Sequence, residues 1–227
     1  HMLTIILAES SLELIPESMY NHPSVISYSK KFRKDPSNTL LDNSWHFAAM
    51  KGIENEIKRG RPDLIHLTLL SICTTPAFYE RKFEVYVHTI NNKVITINNN
   101  IRLPKSYHRF QGLIEQLFVQ KSIRSSSDDQ TLMEIKDSSI SQLISDLKPT
   151  QIIGLTTKGH GVTTFDRLAK QITDGMCVMI GGFQKGHFGI ETDKIIGEQS
   201  FSIGTESLEA HVVASRLVYE YEKTIFI

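Results

Sequence analysis

The chain has 227 residues, 40% of them hydrophobic, enough for a substantial core in one large domain or one domain with an elaboration. Its 25 basic and 25 acidic side chains balance, and this composition excludes a chain disordered throughout. A neutral chain is also not the ordinary basic nucleic-acid binder, so any RNA affinity must rest on locally concentrated charge.

No stretch approaches the ~20 continuous apolar residues of a membrane span. The start, Met2-Leu3-Thr4-Ile5, carries no basic leader, so a cytoplasmic protein is expected, with His1 read as a remnant ahead of the native Met2. Residues 3–8 form an apolar run that reads as a buried central strand. Ser10 and Ser11, ahead of Leu12, Leu14 and Ile15, look like a capped helix start. Residues 21–42 are polar and contain Pro23 and Pro36, which predicts a loop. Trp45, Ala48, Ala49, Ile53 and Ile57 recur at helical spacing and predict a helix over 45–58. A second, very apolar helix is predicted over 64–73, with Pro62 suited to its first turn.

Residues 83–88 alternate strictly, Asn91-Asn92 is a turn, and 94–97 is a second strand, together a β-hairpin. Helices are predicted over 107–120 and on Ile140, Leu143, Ile144 and Leu147, with a polar loop at 125–129. In the last third the strand 152–155 ends in Thr156-Thr157-Lys158-Gly159. The strand 178–180 ends in Gly181-Gly182-Phe183-Gln184-Lys185-Gly186, and 201–203 ends in Gly204-Thr205-Glu206. Helices follow the first and third, at 165–172 and about 208–222. This alternation predicts an α/β fold with a largely parallel sheet and helices on its faces.

Ligands of such sheets bind at the carboxyl ends of strands. Glycines there let the backbone approach a ligand, although the same glycines serve equally in ordinary turns. Residues 181–186 are not the GxGxxG of a dinucleotide site, and neither Lys158-Gly159 nor Lys185-Gly186 completes a P-loop. Cys73 and Cys177 lie in apolar runs without CxxC spacing and read as buried thiols, not a zinc site. His66, inside an apolar helix, reads as a satisfied core residue.

Two segments concentrate positive charge. In Arg59-Gly60-Arg61-Pro62-Asp63, Asp63 is close enough to hold the Arg61 guanidinium, a planar fork suited to phosphate; a capping aspartate beside solvated arginines fits the same residues. In Arg102-Leu103-Pro104-Lys105-Ser106-Tyr107-His108-Arg109-Phe110, a helix starting near Ser106 sets Lys105 and Arg109 four apart on one face, with Arg102 reaching from the preceding loop. That is a cationic strip able to track a nucleic-acid backbone, or else a solvated helix start with Tyr107 and Phe110 in the core.

The order of four motifs goes further. Arg61-Pro62-Asp63-Leu64-Ile65-His66 comes first, then the segment from Arg102 to Leu113, then Ile180-Gly181-Gly182-Phe183, then Ser202-Ile203-Gly204-Thr205-Glu206-Ser207-Leu208-Glu209-Ala210. With these residues the chain resembles, over nearly its whole length, the ribosome-biogenesis pseudouridine N1-methyltransferase family of the SPOUT class. Its short form is more similar to the archaeal members.

The resemblance implies a single domain over 2–227, with a β-hairpin and basic elaboration at about 75–125. It also implies a C-terminal trefoil knot at about 150–227, an exception to unknotted topology. It implies a homodimer, and S-adenosyl-L-methionine held by Leu155 or Thr156, Gly181, Gly186 and the run Ile203, Gly204, Thr205, Glu206, Ser207 and Leu208. Small-subunit ribosomal RNA, in a pseudouridine-containing loop, would meet Arg61, Arg102, Lys105 and Arg109, with Asp63 holding Arg61. Lys105 stands where some relatives carry arginine, keeping charge but losing a bidentate fork. Small-subunit ribosomal proteins are further implied partners. The alternatives are a non-catalytic rRNA-binding assembly factor, a SPOUT methyltransferase acting on tRNA, and an α/β enzyme of small molecules.

Overall fold

In a computed structural model, which describes residues 2–227, the apolar run near the start becomes the central strand. This strand, β1 (Leu3–Ser10), is followed by helices α1 (Pro23–Phe32), α2 (Asn43–Met50), α3 (Pro62–Ile72) and the single turn α4 (Pro76–Tyr79). The hairpin β2 (Phe83–Thr89) and β3 (Lys93–Ile97) leads to α5 (Tyr107–Gln120), β4 (Ser122–Arg124), β5 (Thr131–Asp137) and α6 (Ile140–Leu147). The last third is β6 (Gln151–Leu155), β7 (Gly161–Thr163), α7 (Phe165–Gln171), β8 (Met176–Gly181), α8 (Ile190–Ile196), β9 (Ser200–Ile203) and α9 (Ala210–Phe226).

The strands form one sheet in the order β4-β5-β3-β2-β1-β8-β6-β9-β7. From β2 through β7 every pairing is parallel, and Ile5 of β1 sits opposite Val85 on one side and Val178 on the other. β3, β5 and β4 extend that sheet antiparallel. β1 alternates between two cores. Leu3, Ile5 and Leu7 face α3, α5, α7 and α9, where Ile65, Phe110, Leu168 and Leu217 pack. Ile6 and Ala8 face α6 and α8 with Leu143 and Ile196. Helices therefore cover both faces, as expected of a parallel sheet whose central strands, β1 and β8, are buried on both sides. Cys73 and Cys177 are buried free thiols, and their burial raises both pKa values, that of Cys177 to about 12. Among the described residues no helix is long and apolar enough to cross a membrane.

Several local expectations give way. Ser10 and Ser11 end β1 instead of starting a helix, because Ser11 N–H donates to the Gly182 carbonyl at 2.8 Å and the chain runs on extended to Ile15. The loop expected over 21–42 contains α1: Pro23 occupies the first helical turn, where its missing N–H costs nothing, and the His22 ring caps Ser24 N–H at 3.1 Å. The helix expected over 45–58 stops at Met50, because Gly52 and Asn55 take left-handed backbone angles, φ 84° and 55°. β4, β5, β7 and α8 were not expected; β4 and β7 span three residues each, β5 alternates only from buried Met133 and Ile135 to exposed Glu134 and Lys136, and α8 buries only Thr192 and Ile196. α9 begins at Ala210, leaving Leu208 in the preceding loop.

Beneath α1, His46 of α2 is fully buried. Its Nδ1 accepts from Asp42 N–H at 3.0 Å, and its Nε2 has no partner. Burial, with Lys34 nearby, lowers its pKa to about 4, whereas in the unfolded chain it returns to about 6.5. Between those values the unfolded state binds a proton that the native state refuses. Stability contributed by neutral His46 is therefore complete above about pH 6.5 and is lost as pH falls toward 4, by up to ~3 kcal/mol. His88 is shifted down by burial too and acts in the same direction. The melting temperature is expected to fall as pH drops through this window, and less steeply in His46→Asn; identical slopes would remove His46 from the explanation.

Candidate functional site

β6, β8 and β9 run parallel and end on one edge of the sheet, and the segments beyond them enclose a cavity of about 280 Å³. Leu155 and Thr156 reach it from β6, and Gly181 and Gly186 from β8 and the loop after it. From β9 and the next loop come Ile203, Gly204, Thr205, Glu206, Ser207 and Leu208. All ten residues singled out for a cofactor are brought to this one cavity. Phe183, Phe188, Phe201 and Val213 add apolar wall. Gly186 and Gly204 have φ of 114° and 72°, backbone that an L side chain rarely adopts, so their peptide groups can turn along the cavity edge.

A different glycine fixes where the cavity lies relative to β1. Gly182 N–H donates to Ala8 O at 2.9 Å and its carbonyl accepts from Ser11 N–H. A Cβ there would stand 2.8 Å from Ser10 Cα, so only glycine lets the two chains cross this closely. The loop beyond is anchored by a buried ion pair that sequence reasoning missed. Lys58 Nζ binds the Glu9 carboxylate, donates to His187 O at 2.8 Å, and lies 4.4 Å from the centre of the Phe183 ring. Glu9 in turn accepts from Gly189 N–H at 2.8 Å. Glu9 sits at φ 52°, and its own N–H donates to His88 Nδ1 at 2.9 Å. Since His88 Nδ1 accepts, its Nε2–H is the donor to Asn92 Oδ1, and the ring is neutral. The available signal was slight: one carboxylate closing an apolar strand and one lysine among many.

The basic residues adjoin this structure. Arg61 caps α3, and its Nε and Nη2 donate to the two carboxylate oxygens of Asp63 at 2.9 and 3.0 Å. Its backbone N–H donates to Ser11 Oγ at 2.8 Å, so two hydrogen-bonded steps connect Arg61 to Gly182 of the cavity loop. Asp63 above all, then Glu209 beside Leu208 and Asp42, raise the Arg61 pKa, so the guanidinium keeps its charge. Arg59 is directed away into a pair with buried Glu13, 2.9 Å from Nε to Oε2.

The second basic segment is tied to the first by His66. The His66 Nε2 lies 2.7 Å from Pro104 O, and the ring stacks on Phe110 with centroids 4.4 Å apart, the satisfied core residue expected. Lys105 and Arg109 are exposed, but Lys105 precedes the capping Ser106 and lies outside α5. The four-residue helical spacing expected between them therefore does not exist; Lys105 projects from the loop. Arg102 lies over the Tyr79 ring at 4.4 Å and donates to Ile101 O at 3.0 Å.

Fold and site together define an α/β protein with a ligand cavity at the carboxyl ends of its parallel strands and an oriented arginine beside it. The chain belongs to the EMG1/NEP1 methyltransferase family, which matches residues 5–222. It is 39% identical over 219 residues to the ribosomal RNA small subunit methyltransferase Nep1 of Archaeoglobus fulgidus, covering 96% of this chain and 94% of that protein. It is 39% identical over 217 residues to the Nep1 of Saccharolobus solfataricus, covering 95% and 94%. The crystal structure of Archaeoglobus fulgidus Nep1 bound to S-adenosylhomocysteine matches with a TM-score of 0.88 at 38% identity, over 99% of both chains. The family resemblance and the α/β fold expected from the sequence both hold.

Removing one partner of a buried pair leaves an uncompensated charge and costs ~3 kcal/mol or more. Lys58→Met is therefore expected to lower stability by about that amount, and Glu9→Gln with Lys58→Met by less than Lys58→Met alone. Urea unfolding of the single and double variants checks this; a double variant no more stable than Lys58→Met would show that Glu9 is not held by Lys58.

Proposed function

We propose that the chain transfers a methyl group from S-adenosyl-L-methionine to N1 of a pseudouridine in small-subunit ribosomal RNA, and acts in small-subunit biogenesis. The observation that carries the reading is the join between cavity and guanidinium, from Gly182 through Ser11 to Arg61. It sets a small-molecule cavity beside an oriented phosphate or base-edge donor. The names of the relatives, and the S-adenosylhomocysteine held by one of them, agree with it.

The cavity residues fit the cofactor. Apolar wall at Ile180 and Phe201, hydroxyls at Thr156 and Ser207, and glycine backbone along the cavity at Gly181 and Gly204 suit an adenine face, a ribose and an amino-acid end. When bound, the cofactor supplies an electrophilic methyl group to an in-line nucleophile. The protein's task is then to hold that nucleophile in place, since positioning alone removes much of the barrier. A stacked base cannot reach the cavity, so the target is expected to be flipped from its loop. Arg61, Arg102, Lys105 and Arg109 hold the surrounding backbone. Asp63 has both oxygens on Arg61 and serves as its orienter. The reading includes a C-terminal knot and a homodimer packed through its helices, in keeping with the 61% exposure of Tyr219 on α9. Cytoplasmic location and contact with small-subunit ribosomal proteins belong to it as well.

Tritium-methyl transfer to two RNA hairpins differing only in pseudouridine against uridine tests the reaction; label on the pseudouridine RNA alone is expected, and equal labelling sinks the N1 assignment. Arg61→Ala and Arg109→Ala are each expected to weaken RNA binding on the order of tenfold with cofactor affinity unchanged. RNA affinity should also fall steeply with salt, as phosphate contacts require, and a flat dependence would remove the basic strips from the interface.

A further inference from the structure

A third concentration of cations lies outside both basic segments, where α1 ends in Lys30-Lys31-Phe32-Arg33-Lys34. Lys34 is committed to Glu115 of α5 at 2.5 Å. Lys30, Lys31 and Arg33 are exposed and have no ion-pair partner among the described residues, and the adjacent Asp35 is engaged in capping Ser37 N–H at 2.9 Å. Aromatic rings share this face. Phe32 and Trp45 meet edge to face at 5.2 Å, and the Lys31 ammonium stands 4.9 Å from the Trp45 ring and 5.3 Å from that of Phe32. Trp45 remains 45% exposed and Phe32 40%.

The platform is braced from below. Tyr28 packs 5.4 Å from Trp45, and its hydroxyl accepts from Gln111 Nε2 at 3.0 Å. The helix that carries Trp45 is tied at its start to the first basic segment, where Asn43 N–H donates to Gly60 O at 2.8 Å beside Arg61.

We propose that this α1–α2 face is a stacking platform for unpaired nucleotides that flank the target RNA element. Bases stack on Trp45 and Phe32, whose flat faces accept any base, while Lys30, Lys31 and Arg33 hold the phosphates between them. Lys30, Lys31 and Arg33 outnumber the single carboxylate of Asp35 beside exposed aromatic rings, and that excess fits a polyanion that carries its own rings better than it fits a neutral protein surface. The inference rests on the reading of the chain as an rRNA methyltransferase and extends its RNA contact beyond Arg61 and the segment 102–109.

Trp45 is the only tryptophan, so its emission reports on this face alone. The test compares a pseudouridine hairpin without tails to the same hairpin carrying single-stranded adenosine tails of about six nucleotides, within the span of one stacking surface. Tailed RNA is expected to quench Trp45 and to bind about tenfold more tightly than untailed RNA. Trp45→Ala should abolish that gain. The pair Lys30→Ala, Lys31→Ala changes exposed side chains only, so it should reduce the gain in a folded protein while affinity for the untailed hairpin stays the same. Equal affinity for both RNAs with unquenched emission overturns the platform. Quenching by a polyglutamate peptide but not by tailed RNA also overturns it, in favour of an acidic protein partner. An untailed hairpin that is neither bound nor methylated instead sinks the rRNA reading, and the platform with it.

Discussion

The arrangement depends on what happens at the carboxyl end of β1. Within three residues, this central strand places a buried carboxylate at Glu9, crosses Gly182 at backbone contact, and presents the Ser11 hydroxyl to Arg61. Burying the Glu9–Lys58 pair costs desolvation that the attraction between the charges does not comfortably offset, so the pair is weak evidence for stability. Its effect is geometric. The ammonium and carboxylate still have further lone pairs and protons to satisfy, and the groups that satisfy them are His187 O and Gly189 N–H. A loop that solvent would leave free is thereby held against the sheet by two backbone contacts, and that loop forms one wall of the cavity.

The same economy of charge explains how a neutral chain offers a basic surface. Glu9, Glu13 and Glu115 are nearly buried and face Lys58, Arg59 and Lys34 inward. These pairs cancel in the count of formal charge and contribute little to the field outside. Exposed Lys30, Lys31, Arg33, Lys105 and Arg109 have no such partners among the described residues. Net charge sums over groups that do not act at the same place, and for this chain it says nothing about local potential.

The parts legible in the sequence were those with a strong local cause. The apolar run of β1, the hairpin turn at Asn92 with φ 59°, Pro62 opening α3 and the glycine-marked ends of β8 and β9 each follow from a property of the residue at that position. The cavity set was readable because those loops follow parallel strands, and parallel strands put their loops on one edge. What stayed hidden depends on distant partners. β5 alternates over only four residues, Met133 to Lys136, a run too short to stand out until β3 and β4 pair with it. α1 hid behind Pro23, a residue that ends one helix and begins another with equal ease. Lys58 and Glu9 are 49 residues apart, and nothing local distinguishes either from a surface charge. The four-residue spacing of Lys105 and Arg109 suggests one helical face, but Ser106 caps α5 between them and leaves Lys105 outside the helix.

The Arg61–Asp63 pair shows the difference between stability and orientation most directly. Asp63 is half exposed, and pairs of this kind are worth no more than about 1 kcal/mol to the fold. With Arg59 turned inward onto Glu13, the carboxylate also offsets the one formal charge that the segment offers to a phosphate. Both facts make the pair a poor device for stability or for raw attraction. Its geometry is specific, however. Asp63 takes Nε and one hydrogen of Nη2, and it leaves Nη1 and the other edge of the guanidinium directed elsewhere. With the backbone of Arg61 fixed to Ser11, the remaining donors form a planar fork whose angle is set before any ligand arrives. A free lysine in that position would bring more charge and no direction. The chain has given up local attraction for a donor pair of fixed aim, a trade that makes sense where one nucleotide must be set against the cavity mouth and its neighbours must not.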